Sequence, residues 1–188
     1  MVELILSEKP SAAKRIASAL ADNKPSENKI GKVKYYELMH KGKKIFVVCA
    51  VGHLYSLTEK EKKGWTYPTF DIIWKPAYEV NKDAYFTKEY IEVIEKIAKS
   101  CDKFTIATDY DQEGEVIGMN ALRYACKQKS GRRMKFSTLT KEELVQSYEN
   151  ASNTLDKLQA EAGETRHFLD FFYGINLSRA LTLAVKSA

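Results

Sequence analysis

Short apolar runs alternate with amphipathic segments along most of this chain. The residues of Val2–Ser7 and Lys103–Thr108 predict two buried strands, and Arg133–Thr138 predicts a third. After the first two runs, apolar residues recur at helical spacing, from Pro10 and from about Gly114. Strands that alternate with helices predict an α/β fold, with a parallel sheet covered by helices on both faces.

The segment between the first predicted helix and the predicted strand at Lys103–Thr108 has its own pattern. Two β-rich runs on either side of His40–Lys43 predict a hairpin. Residues 52–85 follow no clean period but contain both tryptophans, so we expect an ordered excursion rather than a linker. Apolar residues at Ile91, Ile94 and Ile97 predict another helix.

The C-terminal part of the chain is predicted to be helical. Thr140, with Glu143 three residues later, is typical of a capping box and predicts the start of a helix. From about Leu155 the sequence becomes one long helical stretch that lies outside the alternation. We therefore predict a domain over residues 1–155 and a helical extension, the start of a following domain, over residues 156–188.

The composition is typical of a globular protein. Of the 188 residues, 44% are hydrophobic and 29% are charged, which supports a packed core. The net charge of +5 fits weak attraction to a polyanion. Cys49, Cys101 and Cys126 form no CxxC pair, so neither zinc nor a disulfide framework is indicated. Without a long apolar run or a signal peptide, the protein is expected to be soluble and cytoplasmic.

An acidic cluster follows the predicted strand at Lys103–Thr108. Asp109, Asp111, Glu113 and Glu115 fall within seven residues, where like charges repel each other. In open parallel sheets, ligands lie beyond the carboxyl ends of the strands, and Mg²⁺ binds there through one or two carboxylates, waters and substrate phosphates. We expect the first three carboxylates to converge on Mg²⁺, which would offset their repulsion.

A second polar pair follows the first predicted strand. Glu8 and Lys9 would lie at the same edge of the sheet as the acidic cluster. A carboxyl group beside a metal-bound phosphate can act as a general acid or base, and a lysine can hold the phosphate as a point charge. Taken alone, a Glu–Lys pair in a loop is also typical of a solvated ion pair.

Other sites could use this acidic pattern. An EF-hand loop needs a glutamate at its twelfth position, where Asn120 stands. A DxDx[TV] phosphatase needs threonine or valine where Glu113 stands. Acidic residues can also simply decorate the start of a helix, where the helix dipole favours them.

Four motifs together resemble the Toprim domain of type IA DNA topoisomerases, particularly the archaeal and topoisomerase III-like branch. In chain order they read ILSEKPSAAKRIA, VVCAVGHLYSL, TDYDQEGEVIG and ETRHFLDFFYGINLSRALT. DxDxE alone is shared with primases, type II topoisomerases and some nucleases, whereas the first and last motifs narrow the match. The last motif resembles the start of the helical domain that follows Toprim in these enzymes.

The resemblance implies Mg²⁺-dependent transesterification, in which a tyrosine attacks a DNA phosphodiester and forms a 5′-phosphotyrosine link before the strand is resealed. It implies that Asp109, Asp111 and Glu113 hold the metal. It also implies that Glu8 manages the proton of the 3′-hydroxyl and that Lys9 contacts the scissile phosphate. The implied partners are a single-stranded DNA segment and the remainder of the same polypeptide, which carries the nucleophilic tyrosine. The implied location is the cytoplasm, in association with the nucleoid.

The chain departs from the family pattern in two ways. Many members have arginine at the position of Gln112, so a phosphate contact by Gln112 has a hydrogen bond but no charge to offer. The nucleophilic tyrosine of the family lies in a later domain, and none of the eleven tyrosines matches it. Tyr110 is expected to point away from its acidic neighbours. The chain is therefore expected to be part of a larger enzyme and inactive by itself.

The three histidines receive different predictions. His53, in the second motif, is expected to be packed or hydrogen-bonded near the site, with a direct substrate contact as the alternative; His40 and His167 are expected at the surface.

Two other functions remain open: a Toprim nuclease or primase-like enzyme, and a non-catalytic DNA- or metal-binding module. The Toprim interpretation requires the Glu8 side chain to lie within reach of Asp109 and Asp111.

Overall fold

The computed structural model describes residues 1–61 and 64–187. Within these ranges the strands are β1 (Val2–Ser7), β2 (Ser26–Ile30), β3 (Val33–His40), β4 (Lys43–Cys49), β5 (Tyr55–Glu59), β6 (Ile72–Pro76), β7 (Lys103–Ala107) and β8 (Arg132–Arg133). The α-helices are α1 (Pro10–Leu20), α2 (Ala77–Val80), α3 (Thr87–Ala98), α4 (Gln112–Asn120), α5 (Lys141–Glu149) and α6 (Lys157–Ser187). A 3₁₀ turn covers Lys82–Ala84, and a π-helical turn at Ala121–Ala125 continues α4.

The central sheet has six strands in the order β2-β3-β4-β1-β7-β8. β4, β1, β7 and β8 run parallel, while β2 and β3 extend the sheet as an antiparallel edge. The α/β class and the predicted hairpin are therefore confirmed, and β2 is an additional strand. At the carboxyl end of β1, Ser7 pairs with Cys49 on one side and Ala107 on the other, so three loops leave the sheet side by side.

Helices cover both faces of this sheet because side chains alternate along the central strands. Leu4 and Leu6 pack in one core with residues of α3 and α4. Ile5 points to the other face and packs with residues of α1 and α5. β1 is therefore buried on both sides, which explains its continuous apolar run.

The excursion at residues 52–85 is ordered, as predicted, except that Lys62 and Lys63 lie outside the described residues. β5 and β6 form a separate two-stranded sheet. α6 packs against it: Arg179 donates to both carboxylate oxygens of Glu59, at 2.7 and 2.6 Å, and Trp74 Nε1 donates to Glu164 Oε1 at 3.0 Å. The boundary at residues 155–156 stays a prediction, although α6 begins close to it.

The predicted strand at Arg133–Thr138 is wrong beyond its first residue. Only Arg132–Arg133 joins the sheet, because the following backbone turns toward α5. There the Glu143 carboxylate accepts hydrogen bonds from the backbone N–H groups of Ser137 and Thr138, at 2.5 and 3.0 Å. The helix start at Thr140 is confirmed, but the capping box is wrong, because the Thr140 side chain makes no capping hydrogen bond.

Both histidines expected at the surface occupy other positions. His40 is buried, with Nδ1 2.6 Å from the carbonyl oxygen of Leu20 and its ring edge-to-face with Tyr148. His167 is half-buried and belongs to the candidate site described below. In the part of the chain that the structure describes, no helix combines the length and the apolar character needed to cross a membrane.

Candidate active site at the carboxyl edge of the sheet

The loops after β1, β4 and β7 meet at one edge of the sheet. Glu8 accepts a hydrogen bond from the Asp109 N–H at 3.4 Å, and its own carbonyl oxygen accepts from Gly52 N–H at 3.3 Å. Lys9 Nζ lies 2.6 Å from Asp109 Oδ2 and 3.5 Å from Glu8 Oε1. The expected meeting of the first loop with the acidic loop is confirmed, and it depends on the register that pairs Ser7 with Ala107.

The Lys9–Asp109 pair favours the charged form of the lysine. The hydrogen bond to Asp109, together with the negative charge of Glu8, raises the pKa of Lys9 above its ordinary value. The ammonium group therefore stays charged at neutral pH. Because the Lys9 side chain is largely exposed, solvent screens the pair and leaves the ammonium free to exchange one anionic partner for another.

Asp111 is the N-cap of α4. Its Oδ1 accepts a hydrogen bond from the Gly114 N–H at 2.7 Å, and this satisfies one of the free donors in the first turn. Thr108 donates its hydroxyl to the Gly114 carbonyl at 2.7 Å, which tightens the same turn. A Cβ at Gly114 would lie 2.1 Å from the Asp109 carbonyl oxygen, so only glycine fits where the loop enters the helix.

Glu113 is held by residues of two distant segments. Its Oε2 lies 3.0 Å from His53 Nε2 and 2.9 Å from His167 Nε2, and its Oε1 lies 3.6 Å from Arg166 Nη1. Partial burial works to raise the pKa of Glu113, but the hydrogen bond from His167 and the surrounding positive charges outweigh it and lower the pKa. Burial, reinforced by neighbouring His167, lowers the pKa of His53.

The last carboxylate of the cluster has a structural partner. Glu115 and Arg133 are both fully buried, with Arg133 Nε 2.5 Å from Glu115 Oε1. The same guanidinium donates to the carbonyl oxygens of Thr108 and Asp109, at 2.9 and 2.8 Å. Arg133 therefore connects β8 directly to the backbone of the acidic loop.

Each acidic side chain thus has a partner within the protein, so a metal is not required to offset their repulsion. Asp109 pairs with Lys9, Asp111 with a helix N-terminus, and Glu113 with two histidines and an arginine. Among the described residues, the ligand atoms that group within 4.8 Å of one another belong to His53, Glu113 and His167, rather than to Asp109, Asp111 and Glu113. The role of the three carboxylates as joint metal ligands stays a prediction.

A cavity of about 410 Å³ opens beside the Lys9–Asp109 pair. It is lined by Lys9, Ser11, Ala12, Asp109, Tyr110, Phe136, Ser137 and Leu139. The Tyr110 hydroxyl accepts a hydrogen bond from Lys135 Nζ at 3.2 Å, and the same ammonium lies 4.3 Å from the centre of its ring. Gln112 is exposed at the start of α4, so its side chain is available to a ligand.

Sequence reasoning missed three residues of this site: Arg133, Arg166 and His167. Arg133 follows a turn in the sequence, where an arginine is normally solvated. His167 and Arg166 lie in the long terminal helix, whose sequence gives no sign that it returns to the sheet edge. The resemblance of ETRHFLDFFYG to a family motif marks the segment but assigns no contact to it.

Comparisons with known proteins identify the family of the chain. The Toprim domain family matches residues 3–139 of the chain. A DNA topoisomerase 1 from Methanocaldococcus jannaschii is 50% identical over 188 residues, covering 100% of this chain and 24% of the relative. A DNA topoisomerase 1 from Pyrococcus horikoshii is 46% identical over 187 residues, covering 98% and 27%.

Two further similarities are more distant. A DNA topoisomerase 3 from Staphylococcus epidermidis is 30% identical over 193 residues, covering 97% of this chain and 25% of the relative. The solved structure of full-length topoisomerase I from Thermotoga maritima matches with a TM-score of 0.58 and 20% identity, covering 89% of this chain and 24% of that one, and it supports the fold alone. The chain spans about a quarter of the length of these curated relatives.

Proposed function

Because the chain belongs to the Toprim domain family, we propose that it forms the metal-binding part of the catalytic centre of a type IA DNA topoisomerase. In this function one DNA strand is cut and resealed by transesterification. The observation that carries the proposal is the contact of Glu8 and Lys9 with Asp109, which joins two motifs at one edge of the sheet. The similarity to proteins named DNA topoisomerase 1 over the whole chain supports the same assignment.

Toprim domains generally bind a divalent metal, and we propose that this one binds Mg²⁺. The residues fit such an ion, because Asp109, Asp111 and Glu113 offer the hard carboxylate oxygens that Mg²⁺ prefers, beside the positive end of α4. Asp109 and Asp111 are accessible to solvent, which leaves room for waters and a phosphate oxygen. When bound, the ion offsets negative charge on the phosphate.

The chain's own residues would bind the phosphate and manage the proton. Lys9 holds the scissile phosphate as a point charge after exchanging Asp109 for a phosphate oxygen. The tyrosine loses its hydroxyl proton to water, and its oxygen forms a bond to phosphorus while the bond from phosphorus to the 3′ oxygen breaks. Glu8, largely buried beside the Asp109 N–H, gives a proton to the departing 3′ oxygen and takes it back when the strand is resealed.

We propose a single-stranded DNA segment as the substrate, with contacts from Gln112 and His53. The nucleophilic tyrosine is supplied by another region of the polypeptide, in keeping with relatives about four times longer than this chain. Tyr110, whose hydroxyl accepts a hydrogen bond from Lys135, is not assigned this role, because the tyrosine of the resembled family lies in a later domain. The isolated chain should therefore bind DNA without cutting it, and its cellular location would be the cytoplasm, associated with the nucleoid.

A binding experiment tests the site in this chain. Fluorescence anisotropy of a labelled single-stranded oligonucleotide is measured with and without Mg²⁺. We expect Mg²⁺ to strengthen binding, Lys9→Gln to weaken it about tenfold, and Lys96→Gln, an exposed lysine on α3, to leave it unchanged. Free DNA ends produced by the chain alone would favour the nuclease or primase-like function, and binding insensitive to both Mg²⁺ and Lys9→Gln would favour a non-catalytic module.

A chimaera tests the complete reaction. This chain replaces the corresponding quarter of the Methanocaldococcus jannaschii protein, with which it is 50% identical over its whole length. We expect the chimaera to relax negatively supercoiled plasmid in Mg²⁺ and to lose that activity with Lys9→Gln but not with Lys96→Gln. A folded chimaera that binds DNA but does not relax it would contradict the proposed function.

A further inference from the structure

We propose that His53, Glu113 and His167 form a site for a borderline divalent transition ion such as Zn²⁺. This site differs in donor chemistry from the carboxylates assigned to Mg²⁺, because two of its three ligands are imidazoles. The three residues come from the loop after β4, the first turn of α4 and the N-terminal half of α6. A metal here would therefore tie the terminal helix to the edge of the central sheet.

The donor atoms already converge. The two Nε2 atoms approach the same oxygen, Glu113 Oε2, from His53 at 3.0 Å and from His167 at 2.9 Å. All the ligand atoms lie within 4.8 Å of one another. With Zn–N and Zn–O bonds of about 2.0–2.1 Å, ligand atoms in a tetrahedral site lie about 3.3 Å apart. The two Nε2–Oε2 distances are within a few tenths of an ångström of this spacing, and the histidine nitrogens, which lie within 4.8 Å of each other, would draw together around an ion.

Neighbouring side chains restrict the ring orientations. The His53 and His167 rings meet edge-to-face, with centroids 5.0 Å apart. Trp74 packs against His167 at 5.6 Å, and the indole N–H is itself fixed by Glu164 at 3.0 Å. These ring contacts restrict the rotation of both imidazoles, whose Nε2 atoms face Glu113.

The donor set selects the class of ion. Two imidazoles and one carboxylate are common around Zn²⁺ and similar transition ions, whereas Mg²⁺ favours oxygen ligands. Three protein ligands leave a fourth position open to water or an anion. Arg166 Nη1, which lies 3.6 Å from Glu113 Oε1, works against metal binding, because its positive charge competes with the ion for the carboxylate. Its removal should therefore strengthen metal binding.

Binding at this site does not require the proposed function. If that function also holds, Glu113 serves both sites, and Zn²⁺ at the histidines would withdraw a ligand from Mg²⁺. Zn²⁺ and Mg²⁺ would then be antagonists at one carboxylate.

Co²⁺ is the probe for the experiment, because four-coordinate Co²⁺ absorbs far more strongly in the visible range than six-coordinate Co²⁺. We expect one equivalent to bind the intact chain with the stronger absorption, and Zn²⁺ to displace it. His53→Gln and His167→Gln should each weaken binding at least tenfold, and Arg166→Gln should strengthen it several-fold. Asp111→Asn, which removes the charge of one carboxylate assigned to Mg²⁺ but keeps the oxygen that caps α4, should leave the Co²⁺ affinity unchanged.

The thiols require a control. Cys49 and Cys126 are buried, and burial raises the pKa of each to about 12, so both remain protonated. Cys101 is partly accessible, so Cys101→Ser serves as the control variant and should bind Co²⁺ as the parent does. Loss of binding in Cys101→Ser, or an equal loss in Asp111→Asn, would overturn the proposal.

A second measurement needs no substitution. Nuclear magnetic resonance of the imidazole groups on addition of Zn²⁺ should shift the His53 and His167 signals and leave those of His40, buried elsewhere, in place. Weak six-coordinate Co²⁺ spectra with unshifted imidazoles would mean that the rings only hydrogen-bond Glu113, and the proposal would be wrong. Both readouts are made without DNA, so their failure is distinct from failure of the proposed function.

Discussion

Lys9 Nζ lies 2.6 Å from Asp109 Oδ2, although the two residues are 100 positions apart in the sequence. The pair sits between a cavity and the carboxyl ends of β1 and β7. Because both side chains are substantially exposed, the pair contributes little to stability, about 0–1 kcal/mol. The pair matters for position rather than stability, because it holds a charged ammonium group where a phosphate can reach it.

Two substitutions at Asp111 separate its structural and ligand roles. Asp111→Ala removes the cap on Gly114 N–H and should lower the free energy of unfolding by about 1 kcal/mol, whereas Asp111→Asn keeps an oxygen acceptor and should change it little. Both should weaken Mg²⁺ binding, since both remove the charge. Urea unfolding and Mg²⁺ titration by calorimetry measure the two effects. Unchanged Mg²⁺ affinity in Asp111→Asn would remove this residue from the metal site.

Arg133→Met should destabilise the protein strongly, by about 3–5 kcal/mol, because it leaves Glu115 buried without its charge partner. The double variant with Glu115→Leu should recover part of this loss but not all, since the carbonyl oxygens of Thr108 and Asp109 still lose a donor. Denaturant unfolding of the four members of the cycle measures the coupling.

Arg123→Met is the matched control for that cycle. Its guanidinium is exposed and lies 3.4 Å from Glu164, so its loss should cost only about 0–1 kcal/mol. A similar loss of stability in Arg123→Met and Arg133→Met would contradict the special role of the buried pair.

Gly114→Ala and Gly174→Ala should change the free energy of unfolding in opposite directions, although both glycines are in helices. At Gly114 a Cβ would lie 2.1 Å from the Asp109 carbonyl oxygen, so the substitution should cost about 1–3 kcal/mol and disturb the acidic loop. At Gly174 a Cβ meets nothing within 4 Å, so alanine should stabilise the helix by about 0.5–1 kcal/mol. Thermal unfolding of both variants measures the two changes in stability. Equal changes would contradict the claim that the turn at Gly114 has no room for a Cβ.

Glu143 makes stability depend on pH. Hydrogen bonds from the Thr138 hydroxyl and the Ser137 N–H are the main causes that lower the pKa of Glu143 below 4.5 in the folded protein. Its contribution is therefore complete above the unfolded pKa and is lost as the pH falls through the lower, folded pKa. Glu143→Gln should remove this dependence, and Thr138→Val should reduce it. Unfolding curves between pH 7 and pH 3 that keep the parent's slope in Glu143→Gln would contradict this account.

The local patterns of the sequence determined most of the frame and part of the site. A continuous apolar run followed by amphipathic spacing identifies β1 with α1 and β7 with α4, because strand and helix periods are read over a few neighbouring residues. Because parallel strands bring their carboxyl ends together, these two strands also predict that Glu8, Lys9 and Asp109 lie at one edge of the sheet. The strand predicted beyond Arg133 failed because Glu143, ten residues later, draws that backbone away from the sheet.

Only the tertiary structure decided which partner each acidic side chain has. No local period indicates that Arg133 is buried against Glu115, or that a helix starting at Lys157 returns His167 to Glu113. These contacts join segments far apart in the sequence, and they depend on how helices pack over the sheet rather than on the residues beside each one. The chain's sequence therefore fixes where the carboxylates stand, while packing fixes which charges and imidazoles surround them.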